Sequence, residues 1–438
     1  MKKRRTFEEL RADIAQLLVP SFAEDSPNFP LERAEGIYLY GPDGRRVMDF
    51  TAGFAVANVG HCHPKVLEAA RKQMEKIIHS AVGLTLHESV LQLCDALIDV
   101  LPSGMNMFFF GNSGAEAIEG TLKAARYISG RPAIIAFEGG FHGRTFGAAS
   151  VTSIKSKYRD HYEPFLPGIY FAPFPDPYRC PLGEGPEAAL RWTMMRIQEL
   201  FERLVPPSQV AAFLVEPIQG EGGYIVPPPD FLKELRGLCD RHQILLILDE
   251  IQTGFGRTGE MFASQVFGVR PDLMAIAKGI ASGFPLSAVV GNRDLLKKWK
   301  FGSHGTTFGG NPVACAAGLA TLEVIREEGL LANCRKMGAR LLQGFEALKA
   351  EYPIVGHVRG KGLMVAMEFI VPGEGKKANP EAAGRVLDEC YRRGLIAYTA
   401  GAHGQVVRMM PPLILTEAQA DEALSILNES LAAASKAT

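Results

Sequence analysis

The run Ile244-Leu245-Leu246-Ile247-Leu248 is apolar at every position. A strand with one solvated face alternates polar and apolar residues, so an unbroken run of this length reads as a strand buried on both faces of a parallel sheet. Comparable short runs recur at Met105 to Phe110, Ala133 to Phe137, Val210 to Val215, Leu273 to Ala277 and Leu286 to Gly291. Helical spacing precedes them over about 87–100 and recurs between them over about 186–205, and a further helix opens at about 114. The expected class is α/β, with a mostly parallel central sheet between helices.

Open α/β sheets bind ligands in the crevice at the carboxyl ends of their strands, so the residues closing each run matter most. The first run ends in Asp249-Glu250, followed by the Gly-rich turn Thr253 to Gly259; Leu273 to Ala277 ends in Lys278. An acid and an amine at the ends of two strands suit a cofactor carrying a basic ring nitrogen and an aldehyde. Pyridoxal phosphate has both: Lys278 would form the Schiff base, and Asp249 would keep the pyridinium protonated. Taken alone, each residue has a plainer reading: Lys278 as a solvated loop lysine, and Asp249-Glu250 as a salt-bridged turn or a magnesium ligand.

The other strand ends carry further candidates. Gly111 to Ala117 opens a helix with small residues, which let backbone N–H groups approach a phosphate where the helix dipole favours an anion. Its glycine spacing is not that of a dinucleotide fingerprint, and no Gly-x-x-x-x-Gly-Lys-Ser/Thr occurs. After Phe137, Phe141 can stack on a flat ring or sit in the core, and the planar guanidinium of Arg144 can pair with a carboxylate. Glu216 and Glu221 follow Val215, and two carboxylates there can line a pocket or decorate a surface loop.

Leu246 to Gly259 and Ala277 to Leu286 resemble the signature of the class III aminotransferases, pyridoxal-phosphate enzymes of fold type I, and nearest among them the 4-aminobutyrate aminotransferases. The likeness runs from about residue 30 to the C-terminus. It implies a phosphate turn at Ser113, Gly114 and Ala115, ring contacts from Phe141 and His142, and a hydrogen bond from Gln252 to the phenolic oxygen. Arg144 would hold the substrate carboxylate far from the reacting carbon, Glu216 would shape the pocket, and Glu221 would pair with Arg408. It also implies a homodimer in which Thr307 reaches the phosphate in the neighbouring subunit's site, and it allows a dimer of dimers. The implied reaction is ping-pong transfer of an amino group from an ω-amino donor, 4-aminobutyrate first, to a 2-oxo acid, 2-oxoglutarate first. Two other activities belong to the same scaffold: amino-acid racemisation or epimerisation, whose archaeal and bacterial members Pro173 to Arg179 resembles, and transamination of acetylornithine, ornithine or a diamine.

The Glu221–Arg408 pair has a physical rationale. An ω-amine donor has no carboxylate beside its reacting carbon, whereas the 2-oxo acid does. A buried Arg408 left unpaired in the first half-reaction would be costly, and a hinged Glu221 can cover it and then release it.

Beyond the large unit the pattern changes. The expected division is an N-terminal arm and hairpin over 1–75 packing with the small domain, a large cofactor domain over 76–329, and a small α+β domain over 330–438. Lys and Arg total 47 against 48 Asp and Glu, which gives no basic surface for nucleic acid or an anionic membrane. The seven cysteines are scattered without a Cys-x-x-Cys, so neither a disulfide framework nor a zinc knuckle is expected. His61-Cys62-His63 reads as a turn, since adjacent side chains diverge, and no metal is expected. Met1 to Arg5 is basic but lacks the apolar segment of a secretory signal, and a cytoplasmic location is expected.

Overall fold

The computed structural model describes residues 6–20 and 29–436; the basic segment Met1 to Arg5 lies outside them. Near the N-terminus, β1 (Arg33–Glu35), β2 (Tyr38–Tyr40) and β3 (Arg46–Asp49) form an antiparallel meander. The expected hairpin is its second half. A late strand, Leu395–Ile396, pairs with β3 in parallel and ties the meander to the C-terminal part of the chain.

The central sheet is built from β4 (Met107–Gly111), β5 (Ala133–Phe137), β6 (Ile169–Ala172), β7 (Val210–Val215), β8 (Leu245–Asp249), β9 (Leu273–Ile276) and β10 (Ser287–Gly291). Its seven strands run in the order β4-β10-β9-β8-β7-β5-β6. The pairs from β6 to β9 are parallel, while β10 lies antiparallel between β9 and β4. The inner strands β5, β7, β9 and β10 are buried at every position, and the edge strands β4 and β6 are half-buried along most of their length. That contrast is the physical content of the unbroken apolar runs: helices cover both faces. The strand β6 was not expected, because four residues behind the Pro- and Gly-rich stretch at 164–168 give little periodic signal.

A third sheet, all antiparallel, has the order β11-β12-β15-β14, with β11 (Val355–Lys361), β12 (Met364–Phe369), β14 (Tyr398–Ala400) and β15 (Val406–Met409). The stretch Leu395 to Tyr398 is divided: β13 (Leu395–Ile396) joins the first sheet and β14 the third. Helices Leu330–Glu351 and Pro380–Arg392 cover this sheet, and Glu417–Ser435 packs on both of them. The close fit shows at Gly338, where a Cβ would stand 2.1 Å from the Gly362 carbonyl oxygen. Pro64, Pro312 and Pro380 each occupy the first helical position, where a missing N–H costs nothing. Among the described residues no helix is long and apolar enough to cross a membrane.

Candidate active site

Strand register brings the acid and the amine together. In the parallel sheet Val215 pairs with Leu248 and Asp249 pairs with Ala275, so the ends of β7, β8 and β9 deliver Glu216, Asp249 and Lys278 to one crevice. Lys278 sits at φ 51°, a left-handed conformation costly for a side-chain-bearing residue and typical of functional sites. Asn58 occupies the space beside it: a Cβ on Gly279 would meet Asn58 Nδ2 at 2.4 Å. The Lys278 amine is partly open to the crevice but densely surrounded. Burial lowers its pKa, the Arg408 charge lowers it further, and Glu221, Asp249 and Glu216 offset only part of this. A larger fraction of free amine, the nucleophilic form, follows.

Asp249 and Glu250, adjacent in sequence, do different things. Glu250 points away into the protein, where it accepts hydrogen bonds from Thr253 Oγ1 and from the backbone N–H groups of Ala263 and Ser264. Asp249 faces His142, whose Nδ1 lies 2.7 Å from Asp249 Oδ2, while Oδ1 accepts the Ile251 N–H at 3.0 Å. Burial opposes protonation of His142, yet the hydrogen bond and charge of Asp249, with Glu216 behind, outweigh it and raise the imidazole pKa. Glu216 is buried and accepts from the N–H groups of Phe141 at 2.9 Å and Gly220 at 2.8 Å. Burial pushes its carboxyl up to about 7, against the pull of His142 and with a contribution from Asp249.

The helix Gly114–Ser129 begins in a capping box: Ser113 Oγ accepts the Glu116 N–H, and the Glu116 carboxylate takes the N–H groups of Asn112 and Ser113. The N–H groups of Gly114 and Ala115 have no hydrogen-bond partner among the described residues. Gly143, at φ 130°, packs so tightly here that a Cβ would stand 2.8 Å from Ala115 Cβ. This contact sets the turn carrying Phe141, His142 and Arg144 against the helix start at Ser113 to Ala115. Gln252 lies against Gly220, and its buried Oε1 has no partner. With the amide turned, its N–H suits a phenolic oxygen. Two free helix-terminal amides, an acid side chain held by an imidazole, an enclosed amine and an unpaired amide match the phosphate, ring nitrogen, aldehyde and phenol of one pyridoxal phosphate.

At the far side of the crevice stands Arg408, 1% exposed and ion-paired through Nη2 to Glu221 Oε1. Its Nε and Nη1 are buried without partners. The guanidinium lies 5.9 Å from the Tyr224 ring and 5.7 Å from the Tyr398 ring, and Phe54 meets Tyr398 edge-on at 5.1 Å. Arg144 is exposed, 4.8 Å from the Tyr158 ring and 6.0 Å from that of Phe141, with no carboxylate partner among the described residues. Phe141 packs on Tyr158 at 5.6 Å. Thr307 is exposed, and no hydrogen bond among the described residues joins it to Lys278 or to the phosphate turn of its own chain. His61 and His63 diverge as expected: one meets Asp49 at 2.8 Å, the other Glu328 at 3.0 Å. No metal-binding cluster exists among the described residues. The sequence reading missed Asn58, Tyr158 and Tyr398, which reach the site only through tertiary packing.

The fold and this site together define a pyridoxal-phosphate enzyme. The family described as "Aminotransferase class-III" matches residues 21–431, and the chain belongs to it. It is similar to a probable 4-aminobutyrate aminotransferase of Bacillus subtilis, 37% identical over 402 residues, covering 92% of each chain. It is also similar to an alanine/serine racemase of Pyrococcus horikoshii, 38% identical over 410 residues, covering 92% of this chain and 86% of the relative. A solved amine transaminase from an uncultivated Pseudomonas species, in its PLP-bound form, superposes with a TM-score of 0.89. It is 33% identical, and the match covers 95% of this chain and 98% of that one.

Proposed function

We propose that this class III aminotransferase takes its amino group from an ω-amino acid, 4-aminobutyrate first, and gives it to a 2-oxo acid, 2-oxoglutarate first. The observation that carries the reading is Arg408: buried, facing the crevice, covered by Glu221, and with two guanidinium nitrogens free. A carboxylate beside the reacting carbon would bind those nitrogens and displace Glu221; a donor lacking that carboxylate would leave the pair closed. Exposed Arg144 suits the distal carboxylate of either substrate, flanked by Phe141 and Tyr158.

Bound pyridoxal phosphate supplies an electron sink for the carbon next to the donor nitrogen. Lys278, with its lowered pKa, holds the cofactor and then moves a proton between the two carbons concerned. Asp249, hydrogen-bonded to His142, would hold the ring-nitrogen proton; Ser113, Gly114 and Ala115 would hold the phosphate, and Gln252 the phenolic oxygen. Glu216 fixes the backbone at Phe141 and Gly220.

The working unit in this reading is a homodimer. Leu84 and Leu86 are 87% and 86% exposed, and Phe308, 59% exposed, meets His79 at 4.9 Å. Segments 77–86 and 301–311 thus share one apolar surface around Thr307, which a second copy would cover. The test of the substrate assignment is a pair of half-reactions, 4-aminobutyrate and L-glutamate each against the cofactor-loaded enzyme. Glu221→Ala is expected to weaken 4-aminobutyrate more than L-glutamate, and equal losses would refute the gate. The Pyrococcus relative favours a second reading, racemisation, and loss of optical rotation in L-alanine with no 2-oxo acid present would establish it.

A further inference from the structure

Antiparallel register lines up Arg359, Ala366, Arg408 and Tyr398 in one row across β11, β12, β15 and β14. Directly paired residues share a face of a sheet. Both arginines therefore face the loop after β7, and Ala366 leaves room between them. Arg408 takes the side chain of Glu221, while Arg359 takes the backbone of the same loop, its Nε donating to the Gly223 carbonyl at 2.7 Å. The approach is close: a Cβ on Gly223, which sits at φ 111°, would stand 2.9 Å from Arg359 Nη2. From the other side the Gly401 N–H donates to the Glu221 carbonyl at 2.8 Å.

The rest of the Arg359 guanidinium is anchored as firmly. Its Nη1 donates to Glu368 Oε2 at 2.6 Å and faces His357 Nδ1 at 3.2 Å. Glu368, 1% exposed, also accepts from Arg179 on the Pro173 to Gly185 loop. The planar fork thus bridges a buried carboxylate and a loop carbonyl from two separate nitrogens, where an ammonium has only one.

We propose that Arg359 is a positioning residue for the Glu221 gate. By fixing the backbone of residues 220–223, it confines the gate's movement to the Glu221 side chain, so that Glu221 returns to Arg408 whenever no substrate carboxylate is there. The proposal rests on the gate reading above. It assigns to Arg359 the balance between ω-amino and α-amino substrates, without contact with either.

The test is Arg359→Lys, which keeps a cation on Glu368 and removes the bridge. In the holoenzyme the ratio of kcat/KM for 4-aminobutyrate to that for L-glutamate is expected to fall about tenfold, the scale of one charge-assisted hydrogen bond, with most of the change in KM for 4-aminobutyrate. In the cofactor-free chain, amide exchange at Gly223 and Tyr224 is expected to speed up. In a Glu221→Ala background the same substitution is expected to leave the ratio unaltered. Gly223→Ala crowds the same contact from the loop side, is expected to shift the ratio in the same direction, and serves if Arg359→Lys does not fold. An unchanged ratio where Glu221→Ala does change it, or an equal shift persisting without Glu221, would overturn the role of Arg359 and leave the gate standing. If Glu221→Ala itself leaves the ratio unchanged, the gate fails and the role of Arg359 fails with it.

Discussion

Replacing Arg408 with Met is the sharpest perturbation of the substrate assignment. Methionine keeps an unbranched side chain in a place 1% exposed, so packing changes little while the cation and its free Nε and Nη1 disappear. A carboxylate bound to both nitrogens would lose two charge-assisted hydrogen bonds, each worth roughly 1.5–3 kcal/mol. A total of about 3–6 kcal/mol corresponds to a loss of about 10²–10⁴-fold in kcat/KM for 2-oxoglutarate and L-glutamate. The donor 4-aminobutyrate makes no such contact, and Glu221, with its side chain 18% exposed, can turn its carboxylate to water. Its half-reaction is expected to slow by about tenfold at most, through the looser wall beside the reacting carbon. Single-turnover stopped-flow absorbance separates the two halves. Equal losses in both, or a 2-oxoglutarate half-reaction left intact, would refute the role given to Arg408.

Three further outcomes are expected. Glu216 is pushed from 4.5 up to about 7 in the fold, so its contribution to stability is complete below about 4.5 and is lost as pH rises through about 7. His142, also raised, acts in the same sense above its ordinary 6.5. Urea denaturation of the cofactor-free chain is therefore expected to show stability falling between about pH 5 and about pH 8, less steeply in Glu216→Gln; an unchanged slope would remove Glu216 as the cause. Gly338→Ala, in mid-helix, would ordinarily gain ~0.5–1 kcal/mol, yet its Cβ would stand 2.1 Å from the Gly362 oxygen, so a loss of about 1–3 kcal/mol is expected and a gain would contradict the packing of that helix on the sheet. Thr307→Val is expected to weaken cofactor binding about tenfold by equilibrium dialysis, and unchanged binding would remove Thr307 from the neighbouring site.

The strands that deliver Asp249 and Lys278 were legible because burial on both faces leaves an unbroken apolar signature. The break between Ile396 and Tyr398 was not. Tyr398 leaves the first sheet to stand opposite Arg408, and that register is decided across strands far apart in the chain. The same holds for Arg359, whose partners Gly223 and Glu368 become neighbours only once β11 and β12 pair. Asp249-Glu250 shows what lies behind such a choice: Asp249 was the carboxylate expected at the ring, but what turns Glu250 away from the crevice is its hold on the turn at 253–264, which the sequence does not display.

Borohydride reduction of the cofactor-loaded enzyme, followed by peptide mapping, tests most directly that the Lys278 amine is the group that holds the cofactor. A phosphopyridoxyl group carried by Lys278 alone is the expected result. Recovery of that group on any other lysine would contradict it.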